Sequence, residues 1–266
     1  MKEILFPAIA MGAVGLVLGA LLAVASKIFA VEKDERAESI CEVLPGANCG
    51  SCGYAGCSAY ADAISKGEAK VNCCSPGGQN VANSIAGIMG VSAGTVEEKV
   101  ALVCCSGTKD VATDKYDYAG ADDCIAVSKL QGSGDKACAY GCLGYGSCVK
   151  VCSKNAITIE NGVAVIDRGK CGGCGECAAV CPKKVIKIVP KEANYRVKCA
   201  SCDKGAAMKE KCSVGCIGCK ICEKNCPVEA IKVVNNCASI DYSKCINCGL
   251  CFVKCPKKII EEVCES

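Results

Sequence analysis

Three cysteine runs of one spacing constrain this chain more than anything else in it. Cys171-x2-Cys174-x2-Cys177-x3-Cys181-Pro182 precedes Cys216-x2-Cys219-x2-Cys222-x3-Cys226-Pro227 and Cys245-x2-Cys248-x2-Cys251-x3-Cys255-Pro256. A compact loop of this length wraps an inorganic cube while its amide N–H groups point at the sulfurs, and the fourth thiolate reaches a neighbouring cube. Disulfide frameworks belong to oxidising compartments and shorter chains, and structural zinc arrives as two separated Cys-x2-Cys pairs. The spacing therefore predicts [4Fe–4S] clusters, with a redox-silent zinc scaffold as the alternative. Composition narrows the options further: 266 residues hold 30 cysteines, no histidine and no tryptophan. Without histidine there is no Ser-His-Asp or Cys-His catalysis and no histidine-ligated zinc or haem. A balance of 31 basic to 28 acidic residues does not point to nucleic acid as a partner.

The cysteine-rich part is duplicated at an offset of 74 residues, which superposes Cys152, Cys171 and Cys181 on Cys226, Cys245 and Cys255. Apolar stretches flank Asn161-Gly162 and Asn235-Asn236, predicting a β-hairpin in each copy. Each copy reads as a two-cluster ferredoxin-like module. The first copy departs from the pattern: Tyr145 stands where Cys219 would be, and Ser153 replaces the proline. Cys138, the nearest spare thiolate, is expected to complete that cluster. The crossed pairing of two-cluster modules then groups Cys138, Cys142, Cys148 and Cys181, and beside them Cys152, Cys171, Cys174 and Cys177. In the second copy it groups Cys216, Cys219, Cys222 and Cys255, and Cys226, Cys245, Cys248 and Cys251. Cys237 aligns with Val163 and is expected to be a small core residue.

Upstream, Cys49-x2-Cys52-x4-Cys57-x16-Cys74 forms a further four-cysteine set rich in glycine, with Ser58–Lys66 expected as a short helix. Cys73 is the alternative to Cys74. Before it, Ile4–Ser26 runs 23 residues without a charge. As a helix this spans about 34 Å, enough for a bilayer core. A cleaved signal peptide, with Ala23-Val24-Ala25 as a cleavage site, is the rival. Lys27, Lys33 and Arg36 outnumber Lys2, which puts the C-terminal side in the cytoplasm, where thiols stay reduced. Gly15 and Gly19, with Gly12 and Ala8, offer a small-residue face for a partner helix.

The leading apolar segment, the Cys49–Cys74 motif and the ferredoxin-like runs, in that order, resemble the B component of the Rnf complex, a membrane ferredoxin:NAD oxidoreductase. The second module and the stretch from Val91 to Lys136 resemble its longer, anaerobe-type form. The resemblance implies an α+β chain: a transmembrane helix (1–30), a four-cysteine [4Fe–4S] domain (31–90), a connecting segment (91–135), ferredoxin-like module 1 (136–190), a connector (191–213) and module 2 (214–266). It also implies the other Rnf components (A, C, D, E and G) as partners, soluble ferredoxin as electron donor, and a single-pass protein of the cell membrane with its clusters on the cytoplasmic side.

Twenty ligands make five clusters and leave ten cysteines: Cys41, Cys73, Cys104, Cys105, Cys124, Cys199, Cys202, Cys212, Cys237 and Cys264. A sixth cluster on Cys105, Cys124, Cys199 and Cys212 is weighed against ordinary small core residues. Thiolate cages with every coordination place filled exchange electrons and bind no substrate. No Gly-x-Gly-x-x-Gly after a strand and no P-loop is visible, so nicotinamide binds elsewhere. The chain reads as an electron wire within an oxidoreductase complex, with no substrate-converting site of its own. The other readings are the iron–sulfur component of a different membrane oxidoreductase (a hydrogenase or reductase) and the zinc scaffold. Lys183, Lys184, Lys254, Lys257 and Lys258 flank last-ligand cysteines and are candidates to dock an acidic ferredoxin.

Overall fold

The computed structural model describes residues 34–263, with scattered helical residues between 12 and 24. Among the described residues no helix is long and apolar enough to cross a membrane, and most of the expected span Ile4–Ser26 lies outside them. The described part of that segment exposes Leu16, Leu18, Leu21, Leu22 and Val24. Cys264 also lies outside the described residues.

Three helices build the four-cysteine domain: α1 (Glu35–Val43), α2 (Cys57–Ser65) and α3 (Gly78–Met89). Asp34 caps α1 by accepting the Arg36 N–H at 3.0 Å. The three pack Ile40, Leu44, Tyr60, Ile64 and Ile85 into one small core. Each of these side chains stabilises the domain by about 1.5–3 kcal/mol through burial, before conformational entropy is subtracted. Tyr60 is fully buried, but its hydroxyl is satisfied: it donates to Lys70 O at 2.6 Å and accepts the Cys73 N–H at 3.0 Å. That pins the loop that carries Cys74.

The two ferredoxin-like modules share one plan. In the first, β1 (Lys99–Val103), α4 (Cys124–Ser128) and α5 (Ser147–Lys150) precede the hairpin β2 (Ile157–Glu160) and β3 (Val163–Ile166). Then come α6 (Glu176–Val180) and β4 (Ile186–Pro190), which pairs antiparallel with β1. The second module repeats this with β5 (Tyr195–Val197), α7 (Gly205–Lys211), α8 (Ile221–Lys224), the hairpin β6 (Ile231–Val234) and β7 (Cys237–Ile240), α9 (Leu250–Lys254) and β8 (Ile260–Glu262). There β5 pairs antiparallel with β8. Both hairpins turn where expected. Asn161 and Gly162 take φ of 47° and 76°, and Asn235 and Asn236 take 49° and 64°. Two consecutive positive φ values match the right-handed twist of the flanking strands.

The stretches 91–135 and 191–213 do more than connect. Each contributes the strand that closes its module, β1 in one case and β5 in the other. β1 is Lys-Val-Ala-Leu-Val and is buried from Val100 onward, so it is covered on both faces although its sheet has two strands. Its partner lies far downstream, at Ile186–Pro190. Cores are small: Ile157, Val163, Val185 and Ile186 pack with Cys142, Cys148 and Cys177 in module 1. In module 2, Val197, Ile231, Ile259 and Ile260 pack with Cys216 and Cys222.

Candidate metal centres

Every described cysteine is a free thiol. Among the described residues, no three Cys, Asp or Glu side chains converge as a single metal ion would require. A zinc ion needs its sulfurs about 2.3 Å from one point. The thiols instead ring wider hollows. In module 2, Cys226, Cys245, Cys248 and Cys251 line one cavity, and Cys216, Cys219, Cys222 and Cys255 line another. The short helices α8 and α9 start at residues in the left-handed conformation, Lys220 and Gly249. That sharp entry turns each Cys-x2-Cys-x2-Cys loop around its hollow. Burial, with Cys216, Cys219 and Cys255 crowding in, pushes the Cys222 thiol up to about 11. Cys251 rises to about 11 for the same reason, beside Cys245 and Cys248.

In module 1, Cys177 is buried close to Cys171, Cys174 and Cys152, and its thiol is pushed up to about 12. Cys148 reaches about 12 through burial, with Cys142, Cys124 and then Cys177 as its nearest thiols. In the four-cysteine domain, burial raises Cys74, which sits with Cys52, Cys57 and Cys49. Asn48 Oδ1 accepts the Cys57 N–H at 2.8 Å and so fixes the start of α2.

Backbone N–H groups aim at these sulfurs. Ala156 donates to Cys152 Sγ at 3.3 Å, Ala230 to Cys226 Sγ at 3.2 Å and Ala101 to Cys171 Sγ at 3.3 Å. Two cations are buried with no carboxylate within ion-pair distance among the described residues: Lys136 and Arg196. Lys136 Nζ donates only to the carbonyls of Gly107 and Gly162, and Arg196 leaves Nε and Nη2 with no partner at all. Uncompensated buried cations are costly. Lys136 lies beside Cys142, so an anionic thiolate-caged cluster held there would supply its missing counter-charge, and the residues present fit such a group.

Family models match along the chain: an Fe–S cluster model over residues 44–76, a 4Fe-4S dicluster domain over 137–185 and a 4Fe-4S binding domain over 238–261. Three B components of ion-translocating complexes are similar to most of the chain. That of the Na(+)-translocating ferredoxin:NAD(+) oxidoreductase complex of Acetobacterium woodii is 43% identical, across 92% of this chain and 73% of that protein. That of the ion-translocating oxidoreductase complex of Methanosarcina acetivorans is 41% identical, across 98% and 99%. That of the proton-translocating ferredoxin:NAD(+) oxidoreductase complex of Clostridium ljungdahlii is 42% identical, across 91% and 86%. The chain belongs to the RnfB family.

Within this RnfB family member, two of the expected ligand cysteines lie beside other thiols than their sequence positions suggest. Cys138 was expected to stand in for the cysteine missing at Tyr145, with Cys124 in a sixth site. The structure exchanges them. Cys138 lies with Cys105 and Cys199, whereas Cys124 lies beside Cys148. The reason is a knot of hydrogen bonds at the head of α4. The Cys124 N–H donates to Ser147 Oγ at 2.8 Å, and Ser147 Oγ donates to Asp123 Oδ1 at 3.1 Å. Lys150 Nζ donates to Asp122 O at 2.6 Å. These bonds clamp α4 onto α5, one residue from Cys148. Tyr145 points away: its hydroxyl donates to Asp135 at 2.5 Å and its ring meets Tyr118 edge-on at 5.1 Å.

Cys237 is buried in the module 2 core, and its thiol donates to Cys199 O at 3.2 Å. Cys41 and Cys73 pack against the helical core of the first domain. Of the candidate docking lysines, Lys183 donates to Ala139 O, Lys184 to Ala179 O and Lys257 to Ser213 O. Lys254 and Lys258 stand exposed. Sequence reasoning missed Lys136 and Arg196, since nothing local marks a lysine or arginine as buried.

Proposed function

We propose that this chain is the iron–sulfur electron-transfer component of an ion-translocating ferredoxin:NAD oxidoreductase, with at least five [4Fe–4S] clusters. The supporting observation is the cysteine cavities of module 2, each lined by one complete crossed ligand set, in a member of a family whose relatives carry that complex in their names. The ligand sets are Cys49, Cys52, Cys57 and Cys74; Cys152, Cys171, Cys174 and Cys177; Cys124, Cys142, Cys148 and Cys181; Cys216, Cys219, Cys222 and Cys255; and Cys226, Cys245, Cys248 and Cys251. Bound there, the clusters supply one-electron chemistry whose potential follows net charge, sulfur hydrogen bonds and solvent exposure.

The chain's own residues set those conditions. Thiolates fill every coordination place, the N–H groups of Ala101, Ala156 and Ala230 bond to ligand sulfurs, and Lys136 and Arg196 hold positive charge in the interior. Cys219 and Cys248 are exposed, and around Cys248 lie Ile246 and Leu250, with Val253 one turn on. We assign this rim to the docking of reduced ferredoxin, with Lys254 beside it. The four-cysteine domain, at the other end of the chain, faces the membrane components of the complex, and the apolar segment 4–26 anchors the chain with its domains in the cytoplasm. Relatives almost equally similar to this chain are named for sodium and for protons, so the coupling ion is a matter for the rest of the complex.

Purification of the full chain without oxygen, followed by iron and acid-labile sulfide analysis and addition of reduced ferredoxin, tests this. A brown protein that ferredoxin bleaches is expected. Zinc in place of iron, or clusters that ferredoxin leaves oxidised, overturns it.

A further inference from the structure

A third cysteine-lined hollow belongs to none of the five sets. It lies between the two ferredoxin modules and is bordered by Cys105, Cys138, Cys199 and Cys212. It is alike in size to the two module 2 cavities with complete ligand sets. We propose that it holds a sixth [4Fe–4S] cluster, ligated by Cys105, Cys138, Cys199 and Cys212, that joins module 1 to module 2. This rests on the iron–sulfur reading above and extends it.

The four thiols are two equivalent pairs, one from each module. Cys105 follows β1 by two residues, as Cys199 follows β5. Cys138 precedes the first module ligand Cys142 by four residues, as Cys212 precedes Cys216. The backbone joins the pairs. Thr113 N–H donates to Lys211 O at 3.0 Å, Ala137 N–H to Thr113 O at 2.8 Å and Ser213 N–H to Val111 O at 2.9 Å. Residues 111–113 thus lie between the Cys138 and Cys212 segments and hold them together. A point beside Gly107, where a Cβ would sit, is 3.5 Å from Cys105 Sγ and 3.8 Å from Cys212 Sγ. The Ala112 Cβ closes the same spot at 3.4 Å. The Gly107 N–H donates to Cys105 Sγ at 3.4 Å, repeating the N–H to sulfur bonds of the other sites.

Cys104 also borders the hollow but is not a ligand. It alternates with Cys105 along the extended chain and packs with Val100, Leu102 and Val189, whereas Cys105 shares the other face with Ala101 and Val103. Charge gives an independent argument. Lys136, 5% exposed, lines this hollow, and its ammonium bonds to Gly107 O at 2.7 Å and Gly162 O at 2.9 Å without a carboxylate. Lys198 lines it too. Lys198 is already paired with Glu261 at 3.4 Å, so a four-thiolate cluster is the anion that Lys136 lacks.

The site would also close the row. Cys105 packs with Cys142 in the core of module 1, and the Cys216 N–H donates to Cys199 Sγ at 3.4 Å in module 2. A cluster on these four thiols is therefore a direct neighbour of one cluster in each module.

Iron and sulfide counting on the anaerobically purified full chain decides the matter. The wild type is expected to hold about 24 irons and the Cys105→Ala/Cys212→Ala double variant about 20, with one set of electron paramagnetic resonance features lost. Cys104→Ala, on the opposite face, keeps the wild-type count. Lys136→Met keeps the iron but lowers one midpoint potential, because a reduced cluster then loses a buried positive charge beside it. A wild-type count of about 20 overturns the proposal whatever the variants do. So does a double variant with undiminished iron, or a Lys136→Met protein in which every potential is unchanged. Protein without iron would instead overturn the iron–sulfur reading itself.

Discussion

Cys174 of the first ferredoxin-like module and Cys49 of the four-cysteine domain line one hollow where the two cluster loops meet. Cys49 is among the charges that raise Cys174, after burial and Glu176. Beside them Ser51 Oγ donates to Gly173 O at 3.4 Å. The loop that carries Cys174 depends on Gly173, whose φ is +67° and whose Cβ position would run into the Lys99 carbonyl at the start of β1. Gly173→Ala is expected to destabilise module 1 by at least about 1–2 kcal/mol from the left-handed backbone alone. It should also push the Cys174 loop away from Cys49. Denaturant unfolding and the rate of electron exchange between these two clusters check this; unchanged values for both would exclude the role given to this contact.

Cys124 as substitute ligand makes a rescue experiment available. Cys124→Ala should lose one cluster, about four irons, from module 1. Tyr145→Cys added to it restores the regular Cys142-x2-Cys-x2-Cys148 spacing and should restore the iron. Cys138→Ala, tested alongside, should leave the resonance of this cluster untouched. If Cys138→Ala removes it and Cys124→Ala does not, the exchange of the two cysteines is wrong. Ser147→Ala gives a milder version. Ser147 is buried, and its loss leaves the Cys124 N–H without an acceptor, a cost of about 1–3 kcal/mol.

The hairpins, the helix after Cys57 and the regular cysteine spacings were legible because their determinants are local. Asn-Gly turns, alternating apolar residues and Cys-x2-Cys-x2-Cys loops fix geometry within a dozen residues. β1 was not legible: it pairs with a strand that starts at Ile186, and a five-residue apolar stretch carries no sign of so distant a partner. The substitute for the cysteine missing at Tyr145 was sought by proximity in sequence, which favoured Cys138. In space, the Asp123–Ser147 clamp brings Cys124 to Cys148, while the bonds of Thr113 and Ala137 carry Cys138 toward module 2. Buried Lys136 and Arg196 carry no sequence mark at all.

Cys237 offers a test of tuning without ligation. Its single thiol proton, which it donates to Cys199 O, lies beside the sulfurs of Cys199 and Cys216 and lowers both of those thiols, and both belong to proposed ligand sets. Cys237→Val copies Val163 at the matching place in module 1, so packing is preserved. The iron count should be unchanged, while the potentials of the adjoining clusters fall, since a donor to ligand sulfur favours the reduced state. Redox titration followed by electron paramagnetic resonance reads this. Loss of four irons would make Cys237 a ligand instead.

The outer end of module 2 is the place to test ferredoxin docking. Val253 is 73% exposed and Ile246 61%, next to the exposed thiol of Cys248 and the ammonium of Lys254. An apolar rim with one basic group suits a weak, transient partner of acidic character, where charge governs the rate of encounter and apolar contact governs dwell time. Val253→Glu changes both terms against an acidic protein. Reduction by ferredoxin should slow by about tenfold, equivalent to about 1.4 kcal/mol, and the deficit should shrink as salt screens the added charge. Iron content and reduction by dithionite should match the wild type, because Val253 is no ligand and its side chain contributes little to the core. Equal rates with ferredoxin would move the entry point elsewhere on the chain.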